Sequence, residues 1–380
     1  MHNRSAARSW SWLGRFLACI AIAGLVWVGC SEVSDQPTAP ATPSVQGSDS
    51  DALPSKLQQR VLEVMAVQDR HTQQLMQLPD VVGTATGLDA AGAVVIKVYT
   101  ERQVAASSLP AELDGVPVVQ EVTGRIVAFK GPGGGVSHTA LQTPPIQLGT
   151  SGGWRFDLAN GFCCGGTLGS LVQTGGTQYI LSNYHVFRSD IVNGGNGRVA
   201  TNGDPIIQPG LIDVGCVAAN AQNVATLAGS ASLPGSNVDA AIAAVIPGMV
   251  RTDGAILEIG TLSSQTVAAS IGQKVKKSGR TTGLSRSSVD GLNATVSVAY
   301  DNECAGGAAF TKTYSGQIII GNRGSRFLAG GDSGSLMVED VNTDPRAVGL
   351  LFAGSSSIAV ANPIGQVLTW IGGGATMVGN

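Results

Sequence analysis

Gly330-Gly331-Asp332-Ser333-Gly334-Ser335 is the stretch on which the reading of this chain turns. Flanking glycines remove Cβ clashes, so a serine between them can sit on a tight turn with its hydroxyl exposed. Alone, the motif reads equally well as an ordinary β-turn, because the chain carries 52 glycines. A serine nucleophile also needs a base, and the base needs a group to orient it. Of the four histidines, His2 lies in a signal-like segment, His71 in a separate amphipathic segment and His138 after a Gly-rich linker. His185 alone falls in the same folded unit as Ser333, at the end of the apolar run Tyr179–Tyr184. Asp239 heads the apolar run Ala240–Val245. A carboxylate buried there is costly unless it is paired, and an imidazolium is the partner that would offset the cost. Asp190, Asp204 and Asp213 are flanked by polar, Gly or Pro residues and read as loop aspartates.

The chain order is therefore His185, Asp239, Ser333. An α/β-hydrolase runs Ser, acid, His around Gly-x-Ser-x-Gly, whereas here Ser335 replaces the second glycine and no histidine follows Ser333. A subtilisin-type order would put the aspartate first.

With these residues in place, the chain resembles a chymotrypsin-fold serine protease. Phe162-Cys163-Cys164-Gly165-Gly166-Thr167-Leu168 is similar to a strand of the family's first barrel. Leu181–Val186 is similar to the segment carrying its histidine, and Val348–Ser355 to the strand that binds substrate. Ser278-Gly279-Arg280-Thr281-Thr282-Gly283 resembles the bacterial branch of α-lytic protease and the streptogrisins, and bacterial relatives of the plant Narrow Leaf protein resemble the chain more closely still. The resemblance covers about residues 150 to 375. It implies a mainly β fold of two six-stranded antiparallel barrels, with His185 and Asp239 on the first and Ser333 on the second.

The implied chemistry is peptide-bond hydrolysis through an acyl-enzyme. The backbone N–H groups of Gly331 and Ser333 would form the oxyanion hole. The resemblance further implies an Arg280–Asp332 ion pair supporting the oxyanion loop. It puts Phe352 where most of the family has a serine that supports the acid. Gly354 matches a glycine whose backbone pairs with substrate. Phe327 lies six residues before Ser333, where an acid would favour cleavage after Lys or Arg; that acid is absent. Cys164 matches a cysteine whose family partner would follow the histidine, but that position is Val186. Among Cys163, Cys164, Cys216 and Cys304 the expectation is Cys216 bonded to one of the adjacent pair. A metal or other cofactor is not expected. The rival readings are a catalytically silent binding module on the same fold and a serine esterase.

The rest of the chain frames this unit. Charged residues make up 13% of the 380, about half the usual share, and the net charge is −3, so no nucleic-acid footprint is expected. Residues 1–30 carry Arg4, Arg8 and Arg15 and then an apolar run to Val28, the layout of a secretory signal. The run ends Trp27-Val28-Gly29-Cys30, which resembles a lipobox and makes Cys30 a candidate lipidation site. The expected location is extracytoplasmic, as a bacterial envelope lipoprotein or a secreted protein, and a monomer with a polypeptide substrate is expected. Residues 31–52 are rich in Ser, Thr, Pro and Ala and read as a flexible tether. Residues 53–130 read as a small α+β domain, a helix over Leu57–Leu78 followed by strands at Val81–Gly83, Ala93–Tyr99 and Pro117–Val122. Its role is left between a cleft-blocking or folding-assisting pro-region and a retained accessory domain. Residues 131–150 read as a Gly/Pro linker, ahead of a catalytic unit over 151–375.

Overall fold

The computed structural model describes residues 55–128, 136–159, 162–188, 199–300, 310–322 and 327–380. The signal segment, Cys30, the tether, Asp190 and Cys304 lie outside the described residues.

One long strand organises the second half of the chain. Gly283–Tyr300 runs for 18 residues, and Ala294, Val296 and Val298 alternate inward with the polar Asn293, Thr295 and Ser297, the period-two signature of a half-buried strand, before Ala299 and Tyr300 are both buried at its end. Its first residues pair antiparallel with Lys274–Gly279 (Lys274 opposite Ser288). Its other edge pairs with Phe310–Gly321. From there the order continues through Ile358–Pro363, Ala347–Gly354 and Leu336–Glu339, and the last returns to Lys274–Gly279. Six antiparallel strands thus close a ring. Val275, Val289, Ile320, Phe327, Met337 and Leu351 belong to one buried cluster of this region.

The other half is an eight-stranded antiparallel sheet rather than the expected six-stranded barrel. In it Thr177–Ser182 pairs with Ala241–Val245, with Ser182 opposite Ala241. The register matters for chemistry: it sets the residues just after Ser182 beside those just before Ala241.

The N-terminal helix and strands form as expected, with the helix at Ser55–Leu75 and strands at Val81–Leu88, Val94–Thr100 and Val116–Val122. They are not a detached domain. Val81–Leu88 pairs antiparallel with the distal part of Gly283–Tyr300 (Gly83 opposite Val296), extending that sheet to ten strands. The helix buries Val61, Val64, Val67 and Leu75 against the added strands. At roughly 1.5–3 kcal/mol per buried aliphatic chain, that face contributes on the order of 10 kcal/mol before entropy. Gln68 ties it to the long strand, donating from Nε2 to the Asn293 carbonyl at 2.9 Å and accepting from Thr86 Oγ1 at 2.8 Å.

Candidate active site

His185 sits on a single helical turn, Tyr184–Phe187, directly after Thr177–Ser182. Asp239 lies two residues before the paired strand Ala241–Val245. Both side chains are buried, at 2% and 0% exposure. His185 Nδ1 lies 2.6 Å from Asp239 Oδ2, and the His185 backbone N–H donates to Oδ1 at 3.3 Å. A carboxylate has no proton to give, so Nδ1 carries it and neutral Nε2 is left as a base. His185 Nε2 has no hydrogen-bond partner among the described residues. The aspartate's backbone is clamped as well. Asn183 Nδ2 donates to its carbonyl at 2.7 Å, and its N–H donates to Asn362 Oδ1 at 3.0 Å.

Ser333 is brought to this pair by the strand Gly166–Leu168. The Thr167 N–H donates to the Ser333 carbonyl at 2.9 Å, while the Thr167 carbonyl accepts from Ser182 Oγ at 2.7 Å, three residues before His185. Gly166 and Gly169 leave no room for a side chain: a Cβ on Gly166 would strike Val186 and the Ser333 carbonyl, and one on Gly169 the Gly334 carbonyl. Ser333 Oγ points to the Phe352 carbonyl at 3.4 Å, and no hydrogen bond joins it to His185 Nε2.

The Gly330–Ser333 turn is fixed by its carbonyls. Thr281 Oγ1 donates to the Gly330 carbonyl at 2.5 Å, which orients the peptide whose N–H belongs to Gly331. The Asp332 carbonyl accepts from Ser335 N–H at 2.9 Å and Ser335 Oγ at 2.5 Å, which orients the Ser333 N–H. Gly331 has φ +93°, and a Cβ there would strike Thr281 and Arg280. Only glycine meets both demands.

The expected Arg280–Asp332 ion pair is not made. Arg280 instead forks onto Asp213, with Nε to Oδ2 at 2.7 Å and Nη2 to Oδ1 at 2.6 Å. The planar guanidinium matches that two-oxygen geometry, whereas Asp332 Oδ1 already accepts from the Thr281 and Thr282 N–H groups at 2.8 and 3.1 Å. The cation on Asp332 is Lys277, Nζ to Oδ1 at 3.1 Å. Burial pulls the Lys277 ammonium pKa down, opposed by the Asp332 charge. Lys276 is also buried, donating to the Val341 carbonyl at 2.6 Å, whereas Lys274 two residues earlier is exposed. Asp213, read as a loop aspartate, also accepts from Ser151 Oγ at 2.5 Å.

Two substrate-binding expectations change. The Phe327 side chain is fully buried and clusters with Val275, Met337 and Leu351, so it is a core residue of the ring rather than a cleft wall. The Phe352 side chain is also fully buried, packed edge-on against Tyr314 at 4.9 Å. Asp239 gains a phenol instead: Tyr300 Oη donates to its Oδ2 at 2.8 Å. The sequence reading passed over Tyr300 and Lys277. Each lies in a strand on the same alternation as an inward valine, Val298 and Val275, and that register was the available signal.

Gly354, expected to pair its backbone with substrate, pairs with the chain itself. Val127 N–H donates to the Gly354 carbonyl at 3.0 Å, and Gly354 N–H to the Val127 carbonyl at 2.9 Å. On the other side, Ala128 N–H donates to the Ala299 carbonyl and Ala299 N–H to the Ile126 carbonyl, both at 3.1 Å. Residues 126–128 therefore fill a slot between Ala347–Gly354 and the end of the long strand.

Cys163 bonds Cys216, as one of the two open pairings had it, and Cys164 is disulfide-bonded as well. His138 is buried beside Ser278 Oγ and Glu258 Oε2, each 3.0 Å from its Nε2, and burial holds its pKa down. Among the described residues no cluster of His, Cys, Asp or Glu could hold a metal.

Residues 225–362 match the model of the Nal1 C-terminal domain. The Nal1 match takes in Asp239, Lys277, Asp332, Ser333 and Gly354, and leaves His185 and the N-terminal unit outside. No curated protein matches. Among solved structures, the chain is similar to a glutamic-acid-specific serine protease (20% identity, 61% of this chain and 100% of that one, TM-score 0.38). It is also similar to Thermobifida fusca Protease A (20% identity, 57% and 92% covered, TM-score 0.37) and Cellulomonas bogoriensis chymotrypsin (19% identity, 62% and 99% covered, TM-score 0.37).

Proposed function

We propose that this chain is a serine endopeptidase with His185, Asp239 and Ser333 as its triad, held in a self-blocked form by its own residues 126–128. In the reaction, Ser333 Oγ attacks a peptide carbonyl while His185 Nε2 takes its proton. Asp239 stabilises the imidazolium, and the Gly331 and Ser333 N–H groups hold the oxyanion. The imidazolium then protonates the leaving amine, and water completes the second half of the cycle. The observation that carries this reading is the two-sided backbone pairing of Val127 with Gly354 beside Ser333. A cleft that grips an extended main chain is built for polypeptide, by strand addition, rather than for a simple ester.

The N-terminal unit then acts as a pro-region whose tail occupies the substrate edge, with the glycine-rich start of the 131–150 segment as the place where it is cut, because Ile146 and Leu148 further along are fully buried in the core. The Cys163–Cys216 bond supports an oxidising, extracytoplasmic setting, with Cys30 as the lipid attachment point. The test is fluorophosphonate labelling, read by intact mass, of the chain from residue 31 and of the same chain after removal of residues 31–130, with Ser333→Ala as control. Labelling that depends on Ser333 and rises after removal supports the proposal; no labelling in either form refutes it.

A further inference from the structure

Asp239 is a fully buried charge, and its oxygens need donors beyond the imidazole. His185 supplies Nδ1–H and its backbone N–H. A further donor is Tyr300, the last residue of the long strand, with Oη 2.8 Å from Oδ2. Tyr314 Oη lies 2.5 Å from Tyr300 Oη. A phenol has one proton. That of Tyr300 goes to the carboxylate, which has none to return, so Tyr314 must donate to Tyr300. The result is a directed chain, Tyr314 to Tyr300 to Asp239, meeting the His185 proton on the same oxygen. Such chains polarise one another and strengthen in a low-dielectric interior.

The rings are held as firmly as the hydroxyls. Tyr300 stacks on Phe310 at 4.8 Å and 14° and stands edge-on to the His185 ring at 5.9 Å. Tyr314 stands edge-on to Phe352. Burial first, and the Asp239 charge next, push both phenol pKa values up, so the two remain donors wherever the imidazole can act as a base.

We infer that Tyr300, backed by Tyr314, is a positioning residue for the triad: it fixes the plane of the Asp239 carboxylate and shares its charge, so that His185 is held with Nε2 free toward Ser333. The inference rests on the protease reading for its catalytic consequence, but its structural content is testable without activity.

The test uses the full chain with Tyr300→Phe and Tyr314→Phe, each checked for folding by thermal melting. Two quantities are read: the rate constant for fluorophosphonate labelling of Ser333, and the downfield proton resonance of His185 Nδ1–H. In Tyr300→Phe, Asp239 Oδ2 loses a competing donor and becomes a stronger acceptor for the imidazole. The resonance then moves further downfield, and labelling slows about tenfold, the size expected for one hydrogen bond to a charged group. Tyr314→Phe moves both readings in the same direction by less. A phenol that only filled space would leave the resonance where it is, and an unmoved resonance in the folded variants overturns the inference. If Tyr300→Phe does not fold, Tyr314→Phe, which leaves Tyr300 in place, decides. A chain that shows the resonance but takes no label even after removal of residues 31–130 refutes the protease reading and leaves the resonance shift to judge Tyr300.

Discussion

Lys277 Nζ lies 3.1 Å from Asp332 Oδ1, with both side chains sealed from solvent. The pair sits directly under the Gly330–Ser333 turn, since Asp332 also receives the N–H groups of Thr281, Thr282 and Ala329 and the Thr282 hydroxyl. A buried pair gains little over an apolar replacement of both partners, but removing one partner strands the other charge at about 3–5 kcal/mol. Lys277→Met should therefore lower the unfolding free energy by that much, read as a drop in the urea midpoint, and abolish Ser333 labelling. Lys277→Met with Asp332→Asn should recover most of the stability. An unchanged midpoint in the single variant would show that the ammonium does not hold the loop.

Arg280 gives the contrasting case. Its guanidinium serves Asp213, and Gly331 needs the space beside it. Arg280→Ala leaves Lys277 on Asp332, so labelling should fall less than in Lys277→Met while stability drops by a similar amount, because Asp213 is left half-sealed without its cation. Equal loss of labelling in the two variants would return the supporting role to Arg280.

Val127 offers a backbone test of self-blocking. Proline at this position has no N–H to give the Gly354 carbonyl, and its ring disfavours close strand pairing. Val127→Pro should loosen residues 126–128 from the slot and raise the fluorophosphonate labelling rate about tenfold, the equivalent of one lost hydrogen bond with its packing. The rate is measured on the uncut chain, so processing does not enter. A rate equal to wild type would mean that the paired strand does not limit access to Ser333.

How much of this was legible in the sequence follows from range. His185, Asp239 and Ser333 stood out because a scarce histidine, an aspartate heading an apolar run and a serine between glycines fall in one folded unit. The N-terminal helix and strands were legible from periodicity. Which cation meets Asp332 was not. Arg280 and Lys277 are three residues apart, and the choice depends on Asp213, distant in sequence and disguised by the glycine and valine around it. Pairing of Val81–Leu88 with Gly283–Tyr300 was equally hidden, because strand alternation tells which face is buried and nothing about which edge is taken. The Tyr300 contact is hidden for the same reason, being made between two sheets that the sequence lists separately.

The Cys163–Cys216 bond closes a loop with a sequence separation of 53 around the His185 segment. In the chain-entropy account a loop of that length contributes about 4 kcal/mol. Cys163→Ser should therefore lower the unfolding free energy by roughly that amount under non-reducing conditions. Because His185 and Asp239 are held by their own strand register, Ser333 labelling at low temperature should survive. Loss of labelling in a variant that still unfolds cooperatively would show that the bond also shapes the site.

The buried phenols of Tyr300 and Tyr314 make the fold sensitive to alkali in a defined direction. Unfolded tyrosines ionise near pH 10, whereas burial and the Asp239 charge raise Tyr300 and Tyr314 above that value in the folded chain. Above about pH 10 the unfolded state gives up protons that the folded state keeps. The tyrosines' contribution is therefore full below pH 10 and declines as pH rises past it, by about 1.4 kcal/mol per pH unit for each phenol. Unfolding free energies from urea titrations between pH 8.5 and 11.5 should fall with that slope in the wild-type chain. In Tyr314→Phe, which deletes one of the two ionisable groups, the fall should be shallower by one tyrosine's share. An identical slope in the two proteins would show that the Tyr314 phenol is not held protonated in the folded state.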